Sequence, residues 1–208
     1  MSGKLRITRR DLFRGIGSAT LAAGCKPTPA EPPPVAAPSL PRAPEGIAGV
    51  GPGPAALALT LNGQPLTAEV APNVTLLAVL RDHARATGTK EVCDRGACGA
   101  CMVLVDGRPQ NSCMTLAHDV AGRQVTTVEG LAPAGQLSPL QQAFHRHDAM
   151  QCGYCTPGML VSCHALLQRK EGAVTRERVE QAISGNLCRC GTYPNIVAAV
   201  LDAAGKAG

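Results

Sequence analysis

The chain has 208 residues, 45% of them apolar but only 2% aromatic, with ten cysteines and a formal net charge of +5. Two Phe, two Tyr and no Trp leave Ala, Val and Leu to build any core, and thin cores of that kind call for a metal or a disulfide as an added constraint. The charge does not point to nucleic acid: Lys4, Arg6, Arg9, Arg10 and Arg14 against Asp11 place +4 of it in the first 14 residues, and the body is nearly neutral.

Residues 1–25 read as an export signal. Thr8-Arg9-Arg10-Asp11-Leu12-Phe13 resembles the twin-arginine pattern, and the uncharged stretch Gly15 to Gly24 is too short to span a bilayer but suits a signal's apolar region. Twin-arginine export carries folded proteins, so a periplasmic location is expected. Leu21-Ala22-Ala23-Gly24-Cys25 resembles a lipoprotein processing site, with Ala22 where Leu is commoner. Cys25 is then either an acylated lipid anchor or a spectator discarded with the signal. Residues 26–55 form a linker, because ten of the 17 prolines lie between Pro27 and Pro54 and Pro-dense chain stays extended. Gly49-Val50-Gly51-Pro52-Gly53 has the glycines of a dinucleotide loop, but Pro interrupts it and neither strand nor helix flanks it.

Residues 56–131 carry the pattern of a small α+β unit. Leu57, Leu59 and Leu61 alternate as in a strand, Asn62-Gly63 is a tight turn, and Leu66 to Val70 is the returning strand. Thr75 to Ala86 is expected to be a helix with Leu76, Leu77, Leu80 and Ala84 on one face. A Gly- and Cys-rich loop follows, then a hairpin from Met102 to Val105 turning at Asp106-Gly107, and a last strand over Val125 to Val128. Residues 132–208 switch to helix. Ser138-Pro139-Leu140-Gln141 combines an N-cap, a first-turn Pro and a capping-box Gln, and Thr156-Pro157 repeats the opening for a helix to about Lys170. Thr175 opens a third helix to about Ser184, and Pro194 a fourth to about Ala204.

The cysteines carry the chemistry. Cys93, Cys98 and Cys101 form a C-x4-C-x2-C run completed by Cys113, which is the plant-type 2Fe–2S spacing. Gly96 and Gly99 free the loop for crowded or left-handed conformations, so that backbone N–H groups face sulfur. Cys152-Gly153-Tyr154-Cys155 and Cys188-Arg189-Cys190 form the second set, each pair ahead of a helix start, where the dipole favours thiolate. Zinc would accept four thiolates in either set, which leaves a zinc-bound secreted module as a competing reading. Disulfides suit exported proteins but need no folded-state export, and haem attachment fails because Met102 and Thr156 stand where C-x-x-C would need His. Cys163 falls in phase with Leu160, Leu166 and Leu167 and is expected to be a buried small hydrophobe. His145 and His147 lie two apart on a helix, face different ways and are expected at the surface.

At these residues the chain resembles the iron–sulfur subunit of the xanthine oxidase family, the molybdenum hydroxylases. The matching segments are Gly88-Thr89-Lys90, Cys93 to Cys101, Gln151 to Gly158 and Ser184 to Gly191, and the likeness covers about 58 to 205. Met102 departs from the commoner Thr without touching a ligand. The resemblance implies a β-grasp ferredoxin-like domain followed by an all-α four-helix bundle, each holding a 2Fe–2S cluster. It implies that Gln151 and Cys190 lie close to molybdopterin, and that the first cluster faces a flavin subunit. With the twin-arginine signal, it looks most like periplasmic aldehyde oxidoreductases, heterotrimers with FAD and molybdopterin cytosine dinucleotide on partner subunits. Substrate stays open between an aldehyde and an N-heterocycle, because this subunit contacts neither.

Overall fold

β1 (Ala55–Leu61) and β2 (Gln64–Val70) pair antiparallel across Asn62-Gly63, whose φ values of 50° and 81° are what a two-residue hairpin requires. The computed structural model describes residues 51–169 and 171–205; the twin-arginine segment, Cys25 and the linker as far as residue 50 lie outside the described residues. Leu57 and Leu59 are buried while Ala56 and Ala58 are exposed, the period-two pattern of a strand with one face on a core. β5 (Gln124–Thr126) lies parallel to β1. β3 (Met102–Val105) pairs with both β5 and the edge strand β4 (Arg108–Asn111), giving the order β2-β1-β5-β3-β4.

Alternation along β3 serves two cores at once. Val103 and Val105 point into a cluster with Leu57, Val79 and Leu80, whereas Leu104 joins Phe144, Met159 and Ile196 on the helical side. One strand therefore ties the sheet to the helices.

The helix expected over Thr75 to Ala86 is shorter and wider. α1 spans Leu76–Ala78, capped by the Thr75 hydroxyl, which accepts from the Ala78 N–H at 3.3 Å, and continues as a π turn over Val79–His83. Arg85 then takes φ 58° and ends it. The Arg81 guanidinium donates to the Thr89 carbonyl at 2.9 Å and to the Thr87 carbonyl at 3.3 Å, drawing the chain off the helical path towards the cysteine loop. The last strand also stops short, at Thr126 rather than Val128. The Asn62 carboxamide takes the Thr127 N–H at 2.9 Å and donates to the Thr127 hydroxyl at 3.0 Å, so the backbone leaves the ladder there.

α2 (Pro139–Arg146) opens with the expected capping box: the Ser138 hydroxyl accepts from the Gln141 N–H at 3.3 Å and Gln141 Oε1 accepts from the Ser138 N–H at 2.8 Å. α3 (Thr156–Gln168), α4 (Arg176–Ala182) and α5 (Tyr193–Gly205) follow, with Thr175 capping α4. α3 ends two residues before Lys170, and α4 stops before Ser184, whose hydroxyl turns back on the Gln181 carbonyl at 2.8 Å. Thr156 does not cap α3. Cys155 takes that place with no side-chain bond, and the buried Thr156 hydroxyl has no partner among the described residues. Cys163 is buried as expected, in the core with Phe144 and Val179, and burial pushes its thiol up to about 12. His145 is exposed, but His147 is half-buried, 3.2 Å from Asp202 on α5.

Candidate metal centres

The loop from Cys93 to Cys101 bends back on itself through left-handed residues, with Asp94 at φ 49°, Gly96 at 70° and Gly99 at 68°. The Asn111 carboxamide donates to the Gly96 carbonyl at 3.2 Å, and the Gly96 N–H points at Cys113 Sγ, 3.3 Å away. Cys113 arrives from β4 on a short 3-10 turn, and Ser112 holds it there by donating from hydroxyl and amide to the Cys101 carbonyl at 2.7 and 3.3 Å. Two strands and a loop thus bring four sulfurs from 21 residues of chain to one place.

Within that place the thiols meet in pairs. Cys93 faces Cys98 and Cys113 faces Cys101. Backbone N–H groups led by that of Arg95, with the Cys98 thiol, bring the Cys93 thiol down to about 7, while burial and the Cys101 thiol push Cys113 up to about 11.

The second set repeats the pattern. Cys152 faces Cys190 and Cys155 faces Cys188. The Tyr154 N–H, with the Cys190 thiol, lowers Cys152, while burial and the Cys188 thiol push Cys155 up to about 12. Burial pushes Cys188 up too, but the Thr192 hydroxyl and neighbouring N–H groups override it and bring the thiol down to about 7. Cys152, Cys190 and Gln151 are exposed, whereas Cys98, Cys101 and Cys113 are buried, so the second set lies at the surface and the first is largely covered.

The two sets abut. The Leu187 N–H donates to the Cys98 carbonyl at 2.9 Å, and Asn186 Nδ2 donates to the Gly99 carbonyl at 3.1 Å while Asn186 Oδ1 accepts from the Ser162 hydroxyl at 2.9 Å. Two glycines permit this contact. A Cβ on Gly99 would lie 2.5 Å from Asn186 Nδ2, and one on Gly158 only 2.0 Å from the Gly99 carbonyl oxygen. The Tyr193 hydroxyl accepts from the Cys188 N–H at 2.7 Å and donates to the Asn186 carbonyl at 3.1 Å, clamping the same loop. The sequence reading assigned no role to Ser162, Asn186, Thr192 or Tyr193. Their only signal was that Asn186 sits inside a segment shared with the resembled family.

All nine described cysteines are free thiols. Zinc needs all four sulfurs on a single ion. Thiols facing two by two, with a backbone N–H aimed at one of them, fit a two-iron group that divides four thiolates between its irons.

Residues 59–132 match the family described as "2Fe-2S iron-sulfur cluster binding domain", and residues 127–201 match the "[2Fe-2S] binding domain". The chain is 41% identical to the aldehyde oxidoreductase iron-sulfur-binding subunit PaoA of Escherichia coli O157:H7, across 97% of this chain and 90% of that protein. It is 49% identical to the nicotine 6-hydroxylase small subunit of Paenarthrobacter nicotinovorans, across 71% of this chain and 88% of that protein. Among solved structures, quinoline 2-oxidoreductase from Pseudomonas putida 86 superposes with a TM-score of 0.71 at 42% identity, covering 74% of this chain and 95% of that one.

Proposed function

Because this chain belongs to the iron–sulfur subunits of the molybdenum hydroxylase and aldehyde oxidoreductase family, we propose that it is the electron-transfer subunit of an exported aldehyde oxidoreductase. It holds two 2Fe–2S clusters, one on Cys93, Cys98, Cys101 and Cys113, the other on Cys152, Cys155, Cys188 and Cys190. The observation that carries this reading is the contact between the two four-thiol sets through the Leu187–Cys98 hydrogen bond. When bound, each cluster supplies a site that accepts and gives up one electron without moving atoms.

The chain's own residues hold, orient and shield. Each thiol pair would hold one iron. Gly96 turns its N–H onto Cys113 Sγ, and such bonds with burial tune a cluster's potential. A backbone link of one hydrogen bond, from the Cys98 carbonyl to Leu187 and on to Cys188, joins the two sites. The second site opens at the surface, with Gln151 and Cys190 exposed, towards molybdopterin cytosine dinucleotide on a large partner subunit. Exposed Val92, Tyr154 and Leu187 around it, and Met114 and Leu116 beside Cys113 on the flavin side, are large apolar side chains suited to two partner contacts. The four helices form the bundle that carries the second cluster.

Export to the periplasm is supported by the twin-arginine pattern of Thr8 to Phe13. Acylation at Cys25 would add a lipid anchor. A second reading, oxidation of an N-heterocycle by the partner subunit, draws on the 49% identity to the nicotine 6-hydroxylase subunit and the superposition on quinoline 2-oxidoreductase.

Purification of the complex from its native source tests both. Iron and acid-labile sulfide in equal amounts, FAD, a molybdopterin dinucleotide, two reduced EPR signals and turnover of aldehydes are expected. Zinc without sulfide overturns the cluster reading, and turnover of nicotine or quinoline in place of aldehydes selects the second.

A further inference from the structure

The cluster-binding loop Cys188-Arg189-Cys190 is followed two residues later by Thr192, which is 4% exposed. Its hydroxyl lies 3.2 Å from Cys188 Sγ. Its carbonyl accepts from the Ile196 N–H at 3.0 Å, so Thr192 stands where a helix cap would stand before α5. A Thr there ordinarily turns its oxygen onto the first helical N–H groups. This one meets sulfur.

We propose that Thr192 is a positioning residue for the second cluster: its hydroxyl donates a hydrogen bond to the Cys188 thiolate and raises that cluster's reduction potential. The inference rests on the reading of Cys188 as a ligand of that cluster.

Between a thiol and a hydroxyl either group could donate. An iron-bound thiolate has no proton, so the direction becomes fixed and the sulfur can only accept. A buried hydroxyl also needs a partner, and the sulfur is the one within reach. The backbone N–H of Cys188 cannot take over, because the Tyr193 hydroxyl already holds it at 2.7 Å. One-electron reduction adds a negative charge to the cluster, and a donor aimed at its sulfur favours the more negative state. No covalent bond forms or breaks, and the proton stays on the Thr192 oxygen.

The first set is held differently. The donors to its sulfurs are backbone N–H groups, among them that of Gly96 at 3.3 Å from Cys113 Sγ, which no side-chain substitution removes. A change at Thr192 should therefore move one cluster and leave the other.

The test is a potentiometric titration followed by EPR on the holo complex with Thr192→Val, which keeps the shape and loses the hydroxyl, and with Thr192→Ser, which keeps the hydroxyl. The second cluster's signal is the one that Cys188→Ser removes. In Thr192→Val its oxidised-to-reduced ratio at fixed potential should rise about tenfold, 59 mV for a one-electron couple, with the first cluster unmoved. Thr192→Ser should restore it. If Thr192→Val does not accumulate, Thr192→Ala reads the same shift. An unchanged second potential, or an equal shift in both clusters, overturns the role of Thr192 while leaving the ligands in place. A complex with the native sequence that lacks the second signal overturns the ligand reading itself, and the inference with it.

Discussion

The Leu187 N–H donates to the Cys98 carbonyl at 2.9 Å, so a residue adjoining one four-thiol set is hydrogen-bonded to a member of the other. Asn186 reinforces the joint from inside, with its oxygen on the Ser162 hydroxyl and its nitrogen on the Gly99 carbonyl. Asn186→Ala would strand the buried Ser162 hydroxyl, at roughly 1–3 kcal/mol, while the Gly99 carbonyl keeps the Met102 N–H at 3.2 Å. Denaturant titration should show that loss, with slower electron exchange between the clusters in freeze-quench EPR. Unchanged stability would mean that the joint is not held by this side chain.

Close packing makes a sharper prediction at Gly158. A Cβ added there would meet the Gly99 carbonyl oxygen at 2.0 Å, a backbone atom that cannot swing away. Gly158→Ala should therefore cost about 1–3 kcal/mol by overpacking and reduce iron content at both sites, since Gly99 belongs to the first loop and α3 to the second. Thermal unfolding with iron analysis checks this.

Cysteine roles separate by substitution. Cys163 is fully buried among apolar side chains with no thiol facing it, so Cys163→Ala should keep full iron and sulfide. Cys188→Ser should remove one of two reduced EPR signals and leave the other. Two intact signals in Cys188→Ser would refute its ligand role.

Acid dependence is predicted at the β3–β4 turn. The Gln124 N–H at 2.9 Å and the Arg123 guanidinium at 2.6 Å hold Asp106 below the usual carboxylate range. A carboxyl lowered by folding contributes stability above its unfolded pKa and loses it as pH falls through the folded value. Asp106→Asn keeps a residue that tolerates the φ of 47° and removes the charge together with one of the two accepting oxygens. The difference in thermal midpoint between the two proteins should be present near neutrality and close as pH falls below the carboxylate range. A difference that persists in acid would place its cause elsewhere.

Local chemistry was legible in the chain wherever it depended on near neighbours. Asn62-Gly63 and Asp106-Gly107 turn where expected because few other pairs accept two positive φ values. Ser138 and Gln141 close their capping box within one helical turn. The pattern over Thr75 to Ala86 predicts a full helix, but Arg81, reaching the Thr87 and Thr89 carbonyls, outweighs a pattern that is locally sound. Thr156-Pro157 predicts a cap that does not form, because nothing in a Thr-Pro pair shows that its hydroxyl will be buried.

By itself the sequence determined which residues could ligate iron, since thiolate chemistry and C-x4-C-x2-C spacing are properties of a short stretch. Only the tertiary structure decided which thiols face each other, that Cys98 and Leu187 touch, and that Thr192 meets sulfur in place of its own helix. These are contacts between segments as much as 89 residues apart. They follow from β3 packing against both cores and from two glycines small enough to let backbones meet, and no local pattern encodes such an approach.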